Sequence, residues 1–94
     1  MQIKVFDITG EYAVCHGDGH ILYEKVLALW VGFPGEVIEL SFEGVKVFHF
    51  SFFRTFFNQL IKEFPPKKIK DDMEFSDITQ DNWEVLRGVF QGYV

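Results

Sequence analysis

Seven phenylalanines fall between Phe48 and Phe64, at positions 48, 50, 52, 53, 56, 57 and 64. Each such ring buries about 150–250 Å² when it enters a core, so the chain has to close around this segment. Five more bring the total to twelve in 94 residues. A chain of this length buries roughly two-thirds of the surface it exposes when unfolded. A core that small does not have room for every ring, and a ring left outside marks a contact surface.

Spacing divides the group. Phe53, Phe56, Phe57, Leu60 and Phe64 recur at three and four residues, the period of one buried helix face. This predicts a helix over 52–64, with Ser51 at the N-cap and Pro65-Pro66 as the stop. Phe52 lies off that stripe. Phe48 and Phe50 precede the cap, so at least one of Phe48, Phe50 and Phe52 is expected to be exposed.

The same reading extends along the chain. Gln2 to Ile8 and Tyr12 to Cys15 read as strands joined at Thr9-Gly10-Glu11, a hairpin. Leu22, Val26, Leu29, Trp30 and Phe33 predict a helix over 20–32, capped by Asp18 and stopped by Gly32 and Pro34. Glu36 to Phe42 is nearly continuously apolar, as in a central strand covered on both faces. Val45 to Phe48 is a short extended piece after the Glu43-Gly44 turn. Lys67 to Asp72 reads as a polar loop, and Met73 to Ile78 as a last strand. Thr79 caps a final helix over 80–92, with Trp83, Leu86, Phe90 and Tyr93 inside. The order is β-β-α-β-α-β-α. It predicts one α/β domain over residues 1–94, a mixed four-stranded sheet with helices packed against it.

That order and three segments within it resemble the STAS domain, the sulphate-transporter and anti-sigma-factor-antagonist fold. Asp7-Ile8-Thr9-Gly10-Glu11-Tyr12 is similar to the family's strand and "SGELD" turn. Val37-Ile38-Glu39-Leu40-Ser41-Phe42, followed by Glu43-Gly44-Val45, resembles "VLLDLSGV". Phe48-His49-Phe50-Ser51-Phe52 sits where "FIDSSG" opens the family's central helix, and is nearer to the "hxxSF" of the STAS-like group of unknown function. The likeness covers about residues 3–92. In regulatory members an aspartate precedes a serine that a partner kinase phosphorylates. Here His49 and Phe50 stand at those positions, and Ser51 follows.

The resemblance implies a non-enzymatic protein-interaction module, a regulatory partner of a kinase-like ATPase in bacteria. Phe48, His49, Phe50, Ser51 and Phe52 would form its contact site, and Ser51 is the residue there able to carry a phosphoryl group. A second reading makes the phenylalanine-rich surface a homodimer contact. A third places a metal or small ligand at Cys15, His16, Asp18 and His20. Zinc takes four ligands, commonly in paired sets. The interval from His16 to His20 crosses Gly17 and Gly19, and no second ligand cluster accompanies it. The segment therefore reads as an ordinary loop with a buried cysteine. Gly17-Asp18-Gly19 lacks the rest of a phosphate-binding fingerprint. No metal, cofactor or catalytic residue is expected.

Composition narrows the partners. The formal net charge is −5, and Lys67, Lys68 and Lys70 are opposed at once by Asp71 and Asp72. Phosphate backbones and anionic membrane surfaces both require clustered positive charge, so neither is an expected partner. The longest apolar stretch, Val26 to Phe33, is far below the ~20 residues that span a bilayer. The single cysteine cannot form an internal disulfide, and no charged-then-apolar leader opens the sequence. Both features fit a cytoplasmic protein.

Overall fold

The structure is a computed structural model that describes residues 1–91. The elements are β1 (Gln2–Lys4), α1 (Phe6–Thr9), β2 (Tyr12–Ala13), α2 (His16–Gly32), β3 (Ile38–Ser41), β4 (Val47–Phe48), α3 (Phe50–Glu63), α4 (Pro66–Asp72), β5 (Met73–Ser76) and α5 (Gln80–Gln91). Strands alternating with helices give an α/β architecture, as the sequence predicts.

The sheet differs from the expected one. β1, β3 and β5 form a three-stranded parallel sheet with β3 in the middle, and β2 and β4 form a separate parallel pair. The register pairs Ile3 with Leu40, Leu40 with Phe75, and Tyr12 with Val47. There is no hairpin between the first two strands. After Val5 the chain turns once into α1, with the Ile8 and Thr9 N–H groups both donating to the Val5 carbonyl. The Thr9 hydroxyl donates to the same carbonyl and to that of Gly10. Gly10 then leaves the helix at φ 68°, a left-handed conformation open to glycine without steric cost. Phe6 and Ile8, read as strand residues by their alternation, belong to this helical turn. It carries the chain from one sheet to the other, so the mixed four-stranded sheet becomes two parallel ones.

Val37 to Phe42 does contain the central strand, but the two faces of β3 differ. Ile38 and Leu40 are buried against the helices. On the opposite face the register aligns Gln2, Glu39 and Glu74, and then Lys4, Ser41 and Ser76. Glu39 accepts from the Ser76 hydroxyl and from the Gln2 amide, and Ser41 donates to Asp77 at 3.1 Å. This face is polar and held by side-chain hydrogen bonds rather than by a second helix layer.

α2 and α3 form the main helix pair. Their contact explains why α2 begins at His16, earlier than expected, with Cys15 as the N-cap residue in place of Asp18. Gly19 is buried, and a Cβ on it would lie 2.6 Å from the Phe52 carbonyl oxygen. Only a glycine lets the two backbones approach this closely. Both glycines that read as a loop lie inside α2, and Gly19 is the one that makes the helix contact. Cys15 is exposed rather than buried.

Lys67 to Asp72 is likewise helical, in α4. Pro66 occupies the first turn, where a proline lacks only an N–H that the helix would not have used. Ile69 is buried, and Lys68 reaches Asp72 at 2.9 Å and lies over the Trp30 ring. α5 starts as expected, with the Asn82 N–H donating to the Thr79 hydroxyl. The Asn82 side chain donates to the Lys46 carbonyl at 3.0 Å, which ties α5 to β4. Leu86 and Val89 are its buried apolar residues, while Trp83 is exposed and packs edge-on to Phe75. Phe90 is half-buried against Phe57. Tyr93 lies outside the described residues.

Candidate functional site at the start of α3

His49 and Phe50 mark the change from strand to helix. β4 ends at Phe48, and the His49 N–H donates to the Ala13 carbonyl, prolonging the pairing with β2. His49 stays extended at φ −121°, ψ 149°, and is the N-cap of α3. Its Nδ1 accepts from the Ser51 N–H at 3.2 Å and lies 3.1 Å from the Ser51 hydroxyl. A backbone N–H can only donate, so Nδ1 carries the lone pair. The cap is therefore the imidazole, and Ser51, expected in that role, is instead the second helical residue. A two-residue shift separates the two assignments (51 − 49). Serine is the commoner cap, which is why sequence reasoning chose it.

The five expected contact residues fall on two sides of this junction. Phe48 and Phe52 are buried, and Phe53, Phe56 and Phe57 are buried with them. Phe42 joins the group, with ring centroids 4.7 Å from Phe48 and 5.9 Å from Phe53. Phe52 thus belongs to the core, although it lies off the three-and-four stripe. The close approach at Gly19 gives it a second covered side, against α2. Phe64, the last stripe member, is half-buried and packs edge-on to Trp30 at 4.8 Å.

Phe50 is 52% exposed. It has company. Tyr12, 57% exposed, pairs in register with Val47, and Val14 follows two residues after Tyr12; Val14 and Val47 are exposed as well. Alternation along a strand puts Ala13 and Phe48 inside and Tyr12, Val14 and Val47 outside. The outer face of the β2–β4 pair, followed by Phe50, is an apolar surface. Tyr12, Val14 and Val47 were not singled out by sequence reasoning. The signal for them was a strand alternation in which the polar partner positions are themselves apolar.

Beside Phe50 lies a cleft of about 510 Å³, lined by His16, Phe50, Ser51, Arg54, Thr55 and Asn58. The Arg54 guanidinium sits 5.8 Å from the Phe50 ring centroid, and no carboxylate among the described residues pairs with it. His16 Nδ1 lies 3.0 Å from the Thr55 hydroxyl. The site thus combines an exposed ring, a cation and several hydroxyl and amide groups. Of the Cys15 to His20 segment, the structure brings only His16 to it.

A family model matches residues 18–83, and its description is a STAS-like domain of unknown function. The chain belongs to this STAS-like family. The match runs from the first turn of α2 to the first turn of α5. It takes in the Val37 to Val45 and Phe48 to Phe52 segments that carry the resemblance, and leaves out Asp7 to Tyr12. No curated protein and no solved structure matches the chain. No helix of the STAS-like domain, among the described residues, is long and apolar enough to cross a membrane.

Proposed function

We propose that this STAS-like domain is a non-enzymatic interaction module that docks a protein partner on the surface around Phe50. The supporting observation is the exposure of Phe50 at the head of a helix whose neighbouring phenylalanines, Phe48, Phe52 and Phe53, are all buried. A large ring held outside on a rigid, fully packed base is the arrangement of an interface anchor. Tyr12, Val14 and Val47 extend the apolar area, while His49, Ser51 and Arg54 supply a polar rim. Phe48 and Phe52 act from below, as support rather than as contacts. The partner we infer is a cytoplasmic, kinase-like regulatory ATPase of a bacterial cell, the class that the STAS resemblance implies.

The test is binding of a purified candidate ATPase to wild type and to Phe50→Ala. The variant should fold with unchanged stability and bind at least tenfold more weakly, as the loss of an aromatic anchor does. Sedimentation of the isolated chain addresses self-association on the same surface. Concentration-dependent dimerisation that Phe50→Ala removes would transfer the reading from a foreign partner to a second copy. Unchanged ATPase binding by a folded Phe50→Ala protein would refute the site.

A further inference from the structure

The cleft beside Phe50 differs in charge from the chain around it. The formal net charge is −5, yet neither Asp nor Glu is among the residues that line the cleft, and Arg54 is. Phe50, Arg54 and Asn58 recur at four-residue intervals along α3, so they stand in one row on its surface, with Ser51 and Thr55 in the adjacent row. His16 lines the cleft from the first turn of α2.

The polar groups of this lining are not equally available. The Ser51 hydroxyl lies 3.1 Å from His49 Nδ1, and the Thr55 hydroxyl 3.0 Å from His16 Nδ1, so each already has an imidazole partner. Lys46 and Lys68, elsewhere on the molecule, are paired with Glu11 and Asp72. Arg54 is not paired in this way. Its guanidinium lies over the Phe50 ring, 5.8 Å from the centroid, and no carboxylate among the described residues meets it. The face of an aromatic ring attracts a cation but offers no oxygen to the N–H groups of a guanidinium. The ring therefore holds Arg54 at the cleft and leaves its donors open. Such a planar fork matches a carboxylate bidentately.

We propose that Arg54 receives an aspartate or glutamate side chain of the protein partner, from an acidic segment whose neighbouring apolar residue packs on Phe50. This rests on the Phe50 surface as a docking site and adds the chemistry of what docks there. A ring and a guanidinium in contact call for an apolar group and an anion side by side, which a peptide segment supplies. Nucleic acid and anionic membranes also carry anions, but they require clustered positive charge, and the cleft has one arginine. A chain of net charge −5 repels an acidic partner at a distance. The contact therefore acts at short range, where charge complementarity sets specificity and register.

Panning a randomised phage-displayed peptide library on the immobilised chain tests this without a known partner. Peptides selected on wild type should carry Asp or Glu beside a large apolar residue. On Arg54→Gln, an exposed position whose substitution should leave urea unfolding unchanged, the apolar preference should persist and the acidic one vanish. On Phe50→Ala the apolar preference should vanish. A selected peptide should bind Arg54→Gln at least about tenfold more weakly than wild type, the effect of losing a hydrogen bond between charged groups. An analogue with the carboxylate replaced by its amide should bind wild type equally weakly and lose nothing further on Arg54→Gln. Acidic selection that persists on Arg54→Gln would overturn the assignment. Apolar selection without an acidic preference would overturn it too, while leaving the Phe50 surface as a docking site. No selection on wild type would count against both. If sodium phosphate moves the Arg54 side-chain NMR signal and no acidic peptide is selected, the cleft is a small-anion site and the partner contact is refuted.

Discussion

At His49, one imidazole does the work usually left to a serine or aspartate. Replacing it removes the acceptor for the Ser51 N–H, so His49→Ala should cost about 0.5–2 kcal/mol of stability in urea unfolding. Ser51→Ala keeps the N–H donor and should cost clearly less; equal losses would return the cap to the serine hydroxyl. Ser51→Asp tests the phosphoryl reading, because a carboxylate in the first turn of a helix is electrostatically favoured. A folded Ser51→Asp protein that no longer binds its partner would assign a switch to this residue, and unchanged binding would remove that role. Glu39 offers a pH-dependent measurement. Hydrogen bonds from Ser76, and secondly from Gln2, hold its carboxyl below the usual glutamate range. A lowered folded-state value means that the carboxylate form is preferred in the native state. Its stabilising effect is complete above the unfolded value of about 4.3 and fades as the pH falls through the folded one. The stability difference between wild type and Glu39→Gln should therefore be present at pH 7 and shrink on acidification below about pH 4.3. A difference independent of pH would mean that the hydrogen bonds do not discriminate between the two protonation states.

Among the elements, the α2–α3 contact is the most tightly specified. Gly19→Ala puts a carbon against the Phe52 carbonyl oxygen, at 2.6 Å, and neither backbone can yield without moving a helix. Such overpacking costs typically about 1–3 kcal/mol, against the slight gain an alanine brings to an exposed helix position. A stabilised Gly19→Ala protein would show that the helices separate easily. Phe57, fully buried among Phe53, Phe56 and Phe90, should lose about 3–5 kcal/mol as Phe57→Ala, while Phe50→Ala should lose almost nothing. These elements also mark how far the sequence could be read. Periodicity found the body of α2, α3 and α5 because each has a long apolar stripe. It missed the start of α2, where glycine signals a loop locally but serves a partner helix 33 residues away (Gly19 to Phe52). It missed α4, where one buried residue, Ile69, supplies the whole apolar face. It misread Phe6 and Ile8 because a single helical turn is too short to display a period. At the candidate site Phe48, Phe50 and Phe52 were legible together as rings outside the stripe, but it was not legible that Phe50 is the exposed one. The burial of Phe48 and Phe52 depended on β2 and α2, which no local pattern reveals.

At the scale of the molecule, every strand pairing among the described residues is parallel, and none joins strands that are neighbours in sequence. Gln2 pairs with Glu39, Tyr12 with Val47 and Ile38 with Met73. The partners are 37, 35 and 35 residues apart (39 − 2, 47 − 12 and 73 − 38). A tight hairpin would have let part of the sheet form early, and the turn at α1 removes that possibility. Closing a long loop carries its entropy cost before the contacts it allows are made, and chains built on distant pairings fold slowly for their size. On a ribosome, β1 emerges first and has no strand to join until β3 has followed it. At about 5–20 residues per second, it stays unpaired for several seconds. A segment as apolar as Phe48 to Phe57 waits similarly, since Ile69, Met73 and Leu86, which complete the core around it, are synthesised later. The absence of a hairpin in the finished fold is thus also an interval of exposure at birth, in which the chain depends on whatever shields nascent apolar segments in its cell.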